Sequence, residues 1–370
     1  MNFNVKQSEI LKGLQAILSI IPSKSTLPIL SNAAFQNGEN ELSISATDLD
    51  VSIITHIPVR TKTEGEITLP AKKVAEVIRE LPDKTLEFNL EKEQMRITSP
   101  LGTYKILGFR KDEFPDIPQN IEGTEIKVDG SLLHRMIEKS VFAYSTDETR
   151  PALNGVLWHI KKDEMRMVAT DGHRLAKIVN TEKIKRETEK EVIIPAKALN
   201  CLNRFRSEED ELEKIIIGDN HVLFELGRTR IFSRLIAETY PNYERVIPSD
   251  NDKILKVNRD ILSSSVKRVS ILSNAITHQV KFSLNKDKII LSALDQEIGG
   301  EANEEIDAEY NGEPMDVGYN AQYLLEILSH IESEEVKFEL STPTTAGIIY
   351  PSEQKEHEDY LCLIMPLRLN

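Results

Sequence analysis

"LNGVLWHIKKDEMRMVATDGH" (153–173) reads as an apolar strand, a polar turn, a second apolar strand and an aspartate. The same order recurs in "LSNAAFQNGENELSISATDLD" (30–50) and in "THQVKFSLNKDKIILSALDQE" (277–297). In every copy an aspartate stands 18 residues after the first letter quoted: Asp48, Asp171 and Asp295. Alternating apolar and polar residues within each copy are typical of half-buried antiparallel strands. The chain is therefore predicted to consist of three repeats.

Two further segments accompany each copy, and both read as a short strand entering an amphipathic helix. In the first repeat they are "FNVKQSEILKGLQAIL" and "ITLPAKKVAEVIREL". The six expected helices begin near residues 8, 71, 131, 196, 259 and 320. The candidate N-caps are Ser8, Ser131 and either Asn258 or Asp260. The pattern predicts an α+β protein of three similar domains, each with two helices on antiparallel sheets, at residues 1–121, 122–249 and 250–370.

Length and composition exclude several classes of protein. A chain of 370 residues is too long for a single ordinary domain core. Its composition, 40% hydrophobic and 29% charged residues, is typical of a folded globular protein. The first twenty residues do not resemble a signal peptide, and no apolar run reaches the roughly 18 residues of a membrane helix. The two cysteines indicate neither a disulfide framework nor a metal site. We expect a cytoplasmic protein with no cofactor and no metal.

Basic residues are concentrated in the predicted helices. The net charge is −14, which by itself argues against a nucleic-acid partner. Yet the helices (8–21, 71–80, 131–143, 196–206, 259–270 and 320–331) hold six more Lys and Arg than Asp and Glu. Either surface helices simply carry lysine, or they share one face that is positive toward a polyanion. The last helix is an exception to the basic trend, because it has Glu326 but no Asp, Lys or Arg.

Two acidic motifs raise the question of catalysis. Asp48 and Asp50 could hold a metal ion, or Asp48 could accept backbone hydrogen bonds in a turn. Since only the aspartate repeats while its neighbours differ, the turn is favoured. His173 and Asp171 could form a general base and its orienting carboxylate, but no nucleophile motif, P-loop or HExxH accompanies them. A metal-dependent hydrolase using Asp48, Asp171 and His173 is the alternative function; a binding surface at 172–175 is the other interpretation.

The C-terminal segment "LCLIMPLRLN" (361–370) stays apolar almost to its last residue. A final core strand explains Leu361 and Leu363. It explains less well the continuation through Met365 and Leu367, because chain ends usually fray. Exposed Met and Leu side chains suit an adaptable groove for short peptides.

Three repeats, basic helices, "TLPIL" (26–30), "ATDGHRLA" (169–176), "YPNYERVIP" (240–248) and the terminal "MPLRL" together closely resemble the bacterial replication sliding clamp, the beta subunit of DNA polymerase III, over essentially the whole chain. The resemblance implies the DNA-clamp fold and a head-to-tail homodimer that closes a six-domain ring around double-stranded DNA, independent of sequence. It implies a non-enzymatic processivity factor of DNA replication. Its partners would be a clamp loader, the replicative polymerase and other proteins bearing clamp-binding peptides, with no membrane contact.

The resemblance also implies functional positions. The partner-peptide pocket would comprise Leu153, Thr170, Gly172, His173, Arg174, Leu175, Pro241, Arg245, Val246, Leu363, Met365, Pro366, Leu367 and Arg368. For DNA, the resemblance matches Lys24, Arg150 and Lys197. The charge of the predicted helices adds Lys12, Lys72, Arg79, Arg135, Lys139, Arg204, Arg206, Lys267 and Arg268 to the DNA-facing set. The dimer interface would comprise Lys72, Lys73, Tyr104, Ile106, Ile271, Leu272, Glu297, Glu301 and Glu304. The chain departs from the family pattern at Asp147, Leu367 and Asn370, which alters expected contacts without removing the pocket.

Overall fold

The computed structural model describes residues 1–22, 25–118, 120–181, 189–205 and 212–369. Within them lie six α-helices: α1 (Gln7–Leu18), α2 (Ala71–Arg79), α3 (Gly130–Ser140), α4 (Ala196–Leu202), α5 (Arg259–Ser270) and α6 (Ala321–Ser329). Each begins within one residue of its predicted start. Most end earlier than predicted; α3, for example, gives way to a 3₁₀ turn at Val141–Ala143. No helix of the described part of the chain is long and apolar enough to cross a membrane.

The chain divides into two structural units, Met1–Leu133 with Lys197–Leu235 and His134–Ala196 with Ile236–Asn370. The division into domains at 1–121, 122–249 and 250–370 stays a prediction. The strands of the first unit are β1 (Asn2–Lys6), β2 (Asn32–Asn37), β3 (Glu41–Thr47), β4 (Val51–Pro58), β5 (Arg60–Thr63), β6 (Gly65–Pro70), β7 (Thr85–Glu91), β8 (Gln94–Ser99), β9 (Gly102–Leu107), β10 (Thr124–Ile126), β15 (Leu212–Ile217), β16 (His221–Leu226) and β17 (Thr229–Arg234). Those of the second are β11 (Gly155–Ile160), β12 (Met165–Thr170), β13 (Arg174–Asn180), β14 (Lys190–Pro195), β18 (Lys253–Asn258), β19 (Gln279–Asn285), β20 (Lys288–Asp295), β21 (Gly300–Asp307), β22 (Glu309–Tyr310), β23 (Met315–Asn320), β24 (Glu335–Leu340), β25 (Gly347–Pro351) and β26 (Glu358–Ile364).

The described residues form four sheets, and all of their strand pairs are antiparallel. The first unit has a five-stranded sheet, β5-β1-β7-β8-β9, and an eight-stranded sheet, β10-β15-β16-β17-β4-β3-β2-β6. The second has a nine-stranded sheet, β14-β11-β12-β13-β26-β25-β24-β18-β22, and a four-stranded sheet, β21-β20-β19-β23. Strand β17 of the middle repeat pairs with β4 of the first, and β26 of the third repeat pairs with β13 of the middle one. Sheets therefore run continuously from one repeat into the next.

The strand pattern in the sequence follows from burial on one face. Val280, Phe282 and Leu284 alternate with half-exposed residues along β19 and are at most 1% exposed. The alternation predicted from the repeats is confirmed here, because each of these strands covers a core with one face.

The helix N-termini are capped partly as predicted. The Asn258 side chain accepts hydrogen bonds from the N–H groups of Asp260 and Ile261, which confirms it as the cap of α5. The prediction for Ser131 is wrong, because the Asp129 carboxylate accepts from the Leu132 N–H at 2.9 Å. Ser8 is not a cap either; helix α1 starts at Gln7 and has no side-chain cap at its N-cap residue.

Candidate functional site

The repeated aspartates hold three equivalent turns. The Asp171 carboxylate accepts hydrogen bonds from the N–H groups of His173 and Arg174 at 2.8 and 2.9 Å. Asp48 accepts in the same way from two amides, and Asp295 from the N–H of Glu297. The prediction that these aspartates accept backbone hydrogen bonds in turns is confirmed. The described part of the chain holds no group of three or more His, Cys, Asp or Glu side chains that could bind a metal ion.

His173 and Asp171 do not form the acid–base pair that their spacing suggested. The Asp171 carboxylate is occupied by the two amides and by the Nε of Arg174 at 3.2 Å. The His173 ring instead stacks on Tyr323, with ring centroids 6.0 Å apart and planes 19° apart. The turn between them contains Gly172 at φ +90°, a conformation that favours glycine. The arrangement gives an exposed imidazole supported by an aromatic ring.

Arg174 lies beneath this turn. Its guanidinium bonds to Asp171, to the Glu326 carboxylate at 2.6 Å and to the Phe142 carbonyl at 2.8 Å, and it lies 4.8 Å from the ring centre of Tyr323. The residue is 7% exposed. Its nitrogen atoms are bonded within the protein, so Arg174 supports the turn from below. The place of Arg174 in the partner-peptide pocket stays a prediction.

An apolar cluster lies beside the turn in the second unit. It consists of Leu153, Leu157, Val168, Leu175, Ile193, Tyr240, Tyr243, Ala346 and Leu363, with Ala152, Ile236, Ile247 and Leu361 at its margin. Three of the predicted pocket residues, Leu153, Leu175 and Leu363, meet in this cluster. Since each is at most 7% exposed, they can form the floor of a groove but not its rim.

The chain end after β26 is held in place by backbone contacts. The Met365 N–H donates to the His173 carbonyl and the Leu367 N–H to the Gly318 carbonyl, both at 2.8 Å. The Met365 side chain remains 41% exposed. Pro366 and Leu367 are partly exposed. These contacts fix the chain past the last strand, and they place Met365 next to the turn. Asn370 lies outside the described residues.

Five further predicted pocket residues lie outside the apolar cluster. Val246 is 56% exposed at the end of the 3₁₀ turn Tyr243–Val246, and Pro241 and Arg245 are also exposed. Thr170 donates its hydroxyl hydrogen to the Arg174 carbonyl and so closes the turn. Arg368 is exposed, and its carbonyl accepts from the Gln279 side chain.

Sequence reasoning missed several residues of this region. Tyr240 and Tyr243 stand within "YPNYERVIP", so the motif that was recognised already contained them. Tyr323 lies on α6, where no sequence signal links it to His173. Ala346 precedes β25 and gave no signal at all.

The predicted DNA-facing residues divide into three groups. Lys24 and Arg206 lie outside the described residues. Eight are exposed: Lys12, Lys72, Arg79, Arg150, Lys197, Arg204, Lys267 and Arg268. Of these, Arg150 pairs with Asp147, Lys197 with Asp48 and Arg268 with Glu304, so part of their charge is neutralised locally.

Arg135 and Lys139 are corrections to the DNA-facing set. Lys139 is 4% exposed; its ammonium donates to the His330 carbonyl and lies 3.0 Å from Glu332. Arg135 bonds to the buried Glu358 carboxylate through Nε at 2.5 Å and Nη2 at 2.8 Å, which raises its pKa. Both side chains hold the second unit together, because their carboxylate partners are supplied by distant parts of the chain.

Comparison with known proteins identifies the family. Models of the DNA polymerase III beta subunit match its N-terminal domain at residues 1–118, its central domain at 127–242 and its C-terminal domain at 244–368. The chain belongs to the DNA polymerase III beta subunit family. The beta sliding clamp of Pseudomonas aeruginosa is 30% identical over 371 residues, covering 100% of both chains, and that of Caulobacter vibrioides is 32% identical over 356 residues, covering 94% and 95%.

Solved beta subunits have the same fold. The sliding clamp of Bartonella birtlesii, bound to griselimycin, matches at a TM-score of 0.93 and 32% identity, covering 100% of both chains. The beta subunit of Thermotoga maritima matches at 0.91 and 27% identity, with the same coverage. The predicted family and the fold class of clamp domains are therefore confirmed, and the hydrolase alternative has no support.

The residues expected at a beta subunit dimer interface are placed as follows. Tyr104 and Ile106 lie on one face of β9, an edge strand, and are partly exposed. Ile271 is 74% exposed just after α5, and Leu272 follows it. Glu297 and Glu301 are exposed near β21, an edge strand of another sheet. Glu304 forms an ion pair with Arg268, and Lys73 forms one with Glu76. Lys72 is exposed on α2.

Proposed function

We propose that the chain is a sliding clamp, a processivity factor that encircles duplex DNA and tethers the replicative polymerase without catalysing a reaction itself. The match of the three beta subunit models along the chain carries this proposal. Two copies form the ring, each contributing domains 1–121, 122–249 and 250–370. A clamp loader opens the ring, and the protein works in the cytoplasm, where the bacterial chromosome is replicated.

The partner-binding groove is the surface around His173. The apolar cluster supplies the floor; Val246 and the flexible Met365 side chain supply apolar walls. Apolar side chains of a short peptide would displace water from this surface, at about 25 cal/mol per Å² of apolar area buried. The unbranched Met365 side chain can adapt to different peptides, which suits a groove that serves several partners.

Ring closure uses two of the free sheet edges, β9 and β21. In the described part of the chain β9 pairs only with β8, and β21 only with β20, so each has one row of unpaired backbone groups. Antiparallel pairing of β9 with β21 of a second copy would satisfy both rows.

Side chains beside the two edges complete this interface. Ile271 and Leu272 supply an apolar pair near the start of β21, where Leu272 approaches Gly300. Tyr104 and Ile106 on β9 of the second copy would pack against that pair. The lysines at the start of α2 would make ionic contacts with acids near β21, and these would add about 0–1 kcal/mol each.

DNA contact would come from exposed cations on the helices, such as Lys12, Lys72 and Lys267. A sliding ring has to neutralise phosphates without reading base edges, because phosphate contacts position a protein while base contacts specify a sequence. Water-mediated contacts of this kind let the protein move along the duplex. Since the closed ring retains the DNA, the contacts themselves can be weak and dependent on salt.

The test is retention on DNA of different topology. After loading onto a nicked circular plasmid, the protein should stay bound through gel filtration, and it should be released once the plasmid is cut to a linear form. Equal retention on both forms would refute the sliding ring.

A matched pair of variants separates ring closure from protein stability. Ile271→Lys places a charge in the proposed interface and should yield monomers that are not retained on circular DNA. Ile261→Lys changes an isoleucine that is 52% exposed on α5, outside the proposed interface, and should leave both dimer and retention unchanged. A dimeric Ile271→Lys protein would place the interface elsewhere.

A further inference from the structure

A cavity of about 790 Å³ lies in the first unit, between α1, the end of β4 and the turn that precedes β17. Its inner wall includes Ala16, Ile57 and Phe205. Arg204 and Arg228 stand at its exposed margin, and no carboxylate of the described residues forms an ion pair with either. The cavity thus combines apolar side chains in part of its wall with positive charge at its opening.

Three other titratable side chains line the cavity. Glu9 and Lys12, both exposed on α1, carry opposite charges. His56 lies 3.0 Å from the Glu41 carboxylate. Because Glu9 and Lys12 offset each other, the two arginines decide the charge at the opening.

The internal repeat shows what fills the equivalent space in the second unit. In the register set by the repeated aspartates, Thr55 is equivalent to Ile178. The cross-strand neighbour of Thr55 is Thr229, whereas that of Ile178 is Tyr360. Tyr360 is 1% exposed. Where the second unit buries a phenol ring, the first unit therefore has only a threonine side chain.

The buried carboxylate is missing as well. Glu358 stands two residues before Tyr360, and its side chain is 6% exposed against Arg135. Two residues before Thr229 the first unit has Gly227, so it provides no acid at this place.

The helix that covers the space also differs. Segments 3–18 and 126–141 align so that Ala16 is equivalent to Lys139. The Lys139 ammonium lies 5.3 Å from the ring centre of Tyr360, and its side chain is 5% exposed. The alanine leaves that volume empty. The first unit thus lacks a ring, a carboxylate and an alkyl chain that the second unit packs together.

We propose that this cavity binds a small organic anion, an aromatic ring that carries a carboxylate or phosphate group. The ring takes the space equivalent to that of Tyr360, against Ala16, Ile57 and Phe205. The anionic group takes the role of the Glu358 carboxylate and is bound by Arg204 and Arg228. Arginine forms strong charge-assisted hydrogen bonds with carboxylates and phosphates. This site requires neither DNA nor a second copy of the chain, so it goes beyond the proposed clamp function, although Arg204 also belongs to the predicted DNA-facing set.

Ligand-observed NMR with the whole protein tests the proposal. The probe is 3-(4-hydroxyphenyl)propionate, which joins a phenol ring to a carboxylate, and its expected Kd is on the order of 1 mM for a ligand of this size. Phenyl phosphate should bind similarly. Tyramine, which has the same ring and a positive charge, should not bind; equal binding of tyramine would overturn the proposal.

Two variants and one control locate the probe. Arg228→Gln should weaken binding of the propionate at least tenfold. Arg60→Gln, an exposed arginine of the same unit that does not line the cavity, should not change it. The double variant Ala16→Lys, Thr229→Tyr introduces into the first unit the two side chains that fill the equivalent space in the second, so it should abolish binding. If this variant does not fold, the Arg228→Gln comparison decides alone.

A DNA phosphate could also reach the two arginines, and further probes distinguish that source. Inorganic phosphate should bind at least tenfold more weakly than phenyl phosphate, because it lacks the ring. If inorganic phosphate or a short duplex binds with the same dependence on Arg228 while the propionate does not, the surface is a plain phosphate contact and the proposal is wrong.

Discussion

Replacing Arg174 with alanine tests whether this buried guanidinium holds the His173 turn. The Arg174 side chain is 8% exposed, and its partners Asp171 and Glu326 are 13% and 44% exposed. Removing one member of a buried ion pair costs about 3–5 kcal/mol, because the remaining charge is left without a partner. Glu326 can regain water, so the cost should fall at the lower end, about 3 kcal/mol. Glu326→Gln should cost about 1 kcal/mol or less, because Glu326 is 44% exposed and Arg174 keeps its ion pair with Asp171.

The single tryptophan makes the measurement specific. Trp158 is fully buried on β11, in the same nine-stranded sheet as β13, so its fluorescence in urea reports unfolding of the second unit. With a urea m value of about 2–3 kcal/mol/M, a loss of about 3 kcal/mol lowers the midpoint by about 1 M or more.

Arg268→Ala is the matched control. Arg268 also makes two hydrogen bonds to one carboxylate, that of Glu304, but its side chain is 59% exposed. It should therefore lower the midpoint by no more than a few tenths of a molar unit. Equal shifts for Arg174→Ala and Arg268→Ala would refute the reasoning from burial.

Two further predictions concern the chain end and acid stability. Deleting Met365–Asn370 should abolish binding of polymerase peptides in a fluorescence-anisotropy assay while the protein stays dimeric, because the deletion removes Met365 from one wall of the proposed groove; unchanged peptide binding would place the groove elsewhere. The hydrogen bond from Arg135 lowers the pKa of Glu332 from 4.5 to about 2, so its stabilising contribution is present above pH 4.5 and is lost as the pH falls toward 2. Glu332→Gln should therefore flatten the fall of the Trp158 urea midpoint between about pH 5 and pH 3, and identical profiles would contradict this.

Local signals in the sequence predicted local structure well. Helix starts were predicted to within one residue because apolar periodicity and the preceding strand mark them. The role of the repeated aspartates was predictable because their backbone partners lie two and three residues away. Helix ends were less predictable; α4 ends at Leu202 rather than at residue 206.

Contacts between distant segments were not predictable from composition or spacing. Arg135 and Lys139 were assigned to a DNA-facing surface on their charge alone. Their carboxylate partners, Glu358 and Glu332, lie about 200 residues away in sequence, and only the folded chain brings them together. The bond from Arg174 to Glu326 was not predictable for the same reason, since the two residues are 152 positions apart.

The first and middle repeats share the turn but differ in what lies beneath it. In the repeat register, Val51 takes the place of Arg174 and Ser19 that of Phe142. In the first unit the Ser19 hydroxyl lies 3.5 Å from the Cys201 thiol, whose pKa is raised by burial, so the contact there is neutral.

The second unit, whose turn contains His173, has a charged network of Arg174, Asp171 and Glu326. A buried guanidinium is costly to desolvate, and well-packed apolar residues can replace such a group without loss of stability. The first repeat, with Val51 at the equivalent position, holds the same aspartate turn without a buried guanidinium; its Asp48 is paired with the exposed Lys197 instead. The turn itself therefore does not require Arg174.

What Arg174 adds is contact with Glu326 and the Tyr323 ring, which fixes α6 against the turn and keeps Tyr323 stacked on His173. We infer that the contacts of Arg174 with Asp171 and Glu326 position the His173 turn at the side of the proposed groove. Arg174→Val, which introduces the residue of the first repeat, should therefore weaken peptide binding severalfold in the anisotropy assay even where the protein is fully folded. Unchanged peptide affinity would show that the network serves stability alone, because the turn would then hold its shape without the contact to α6.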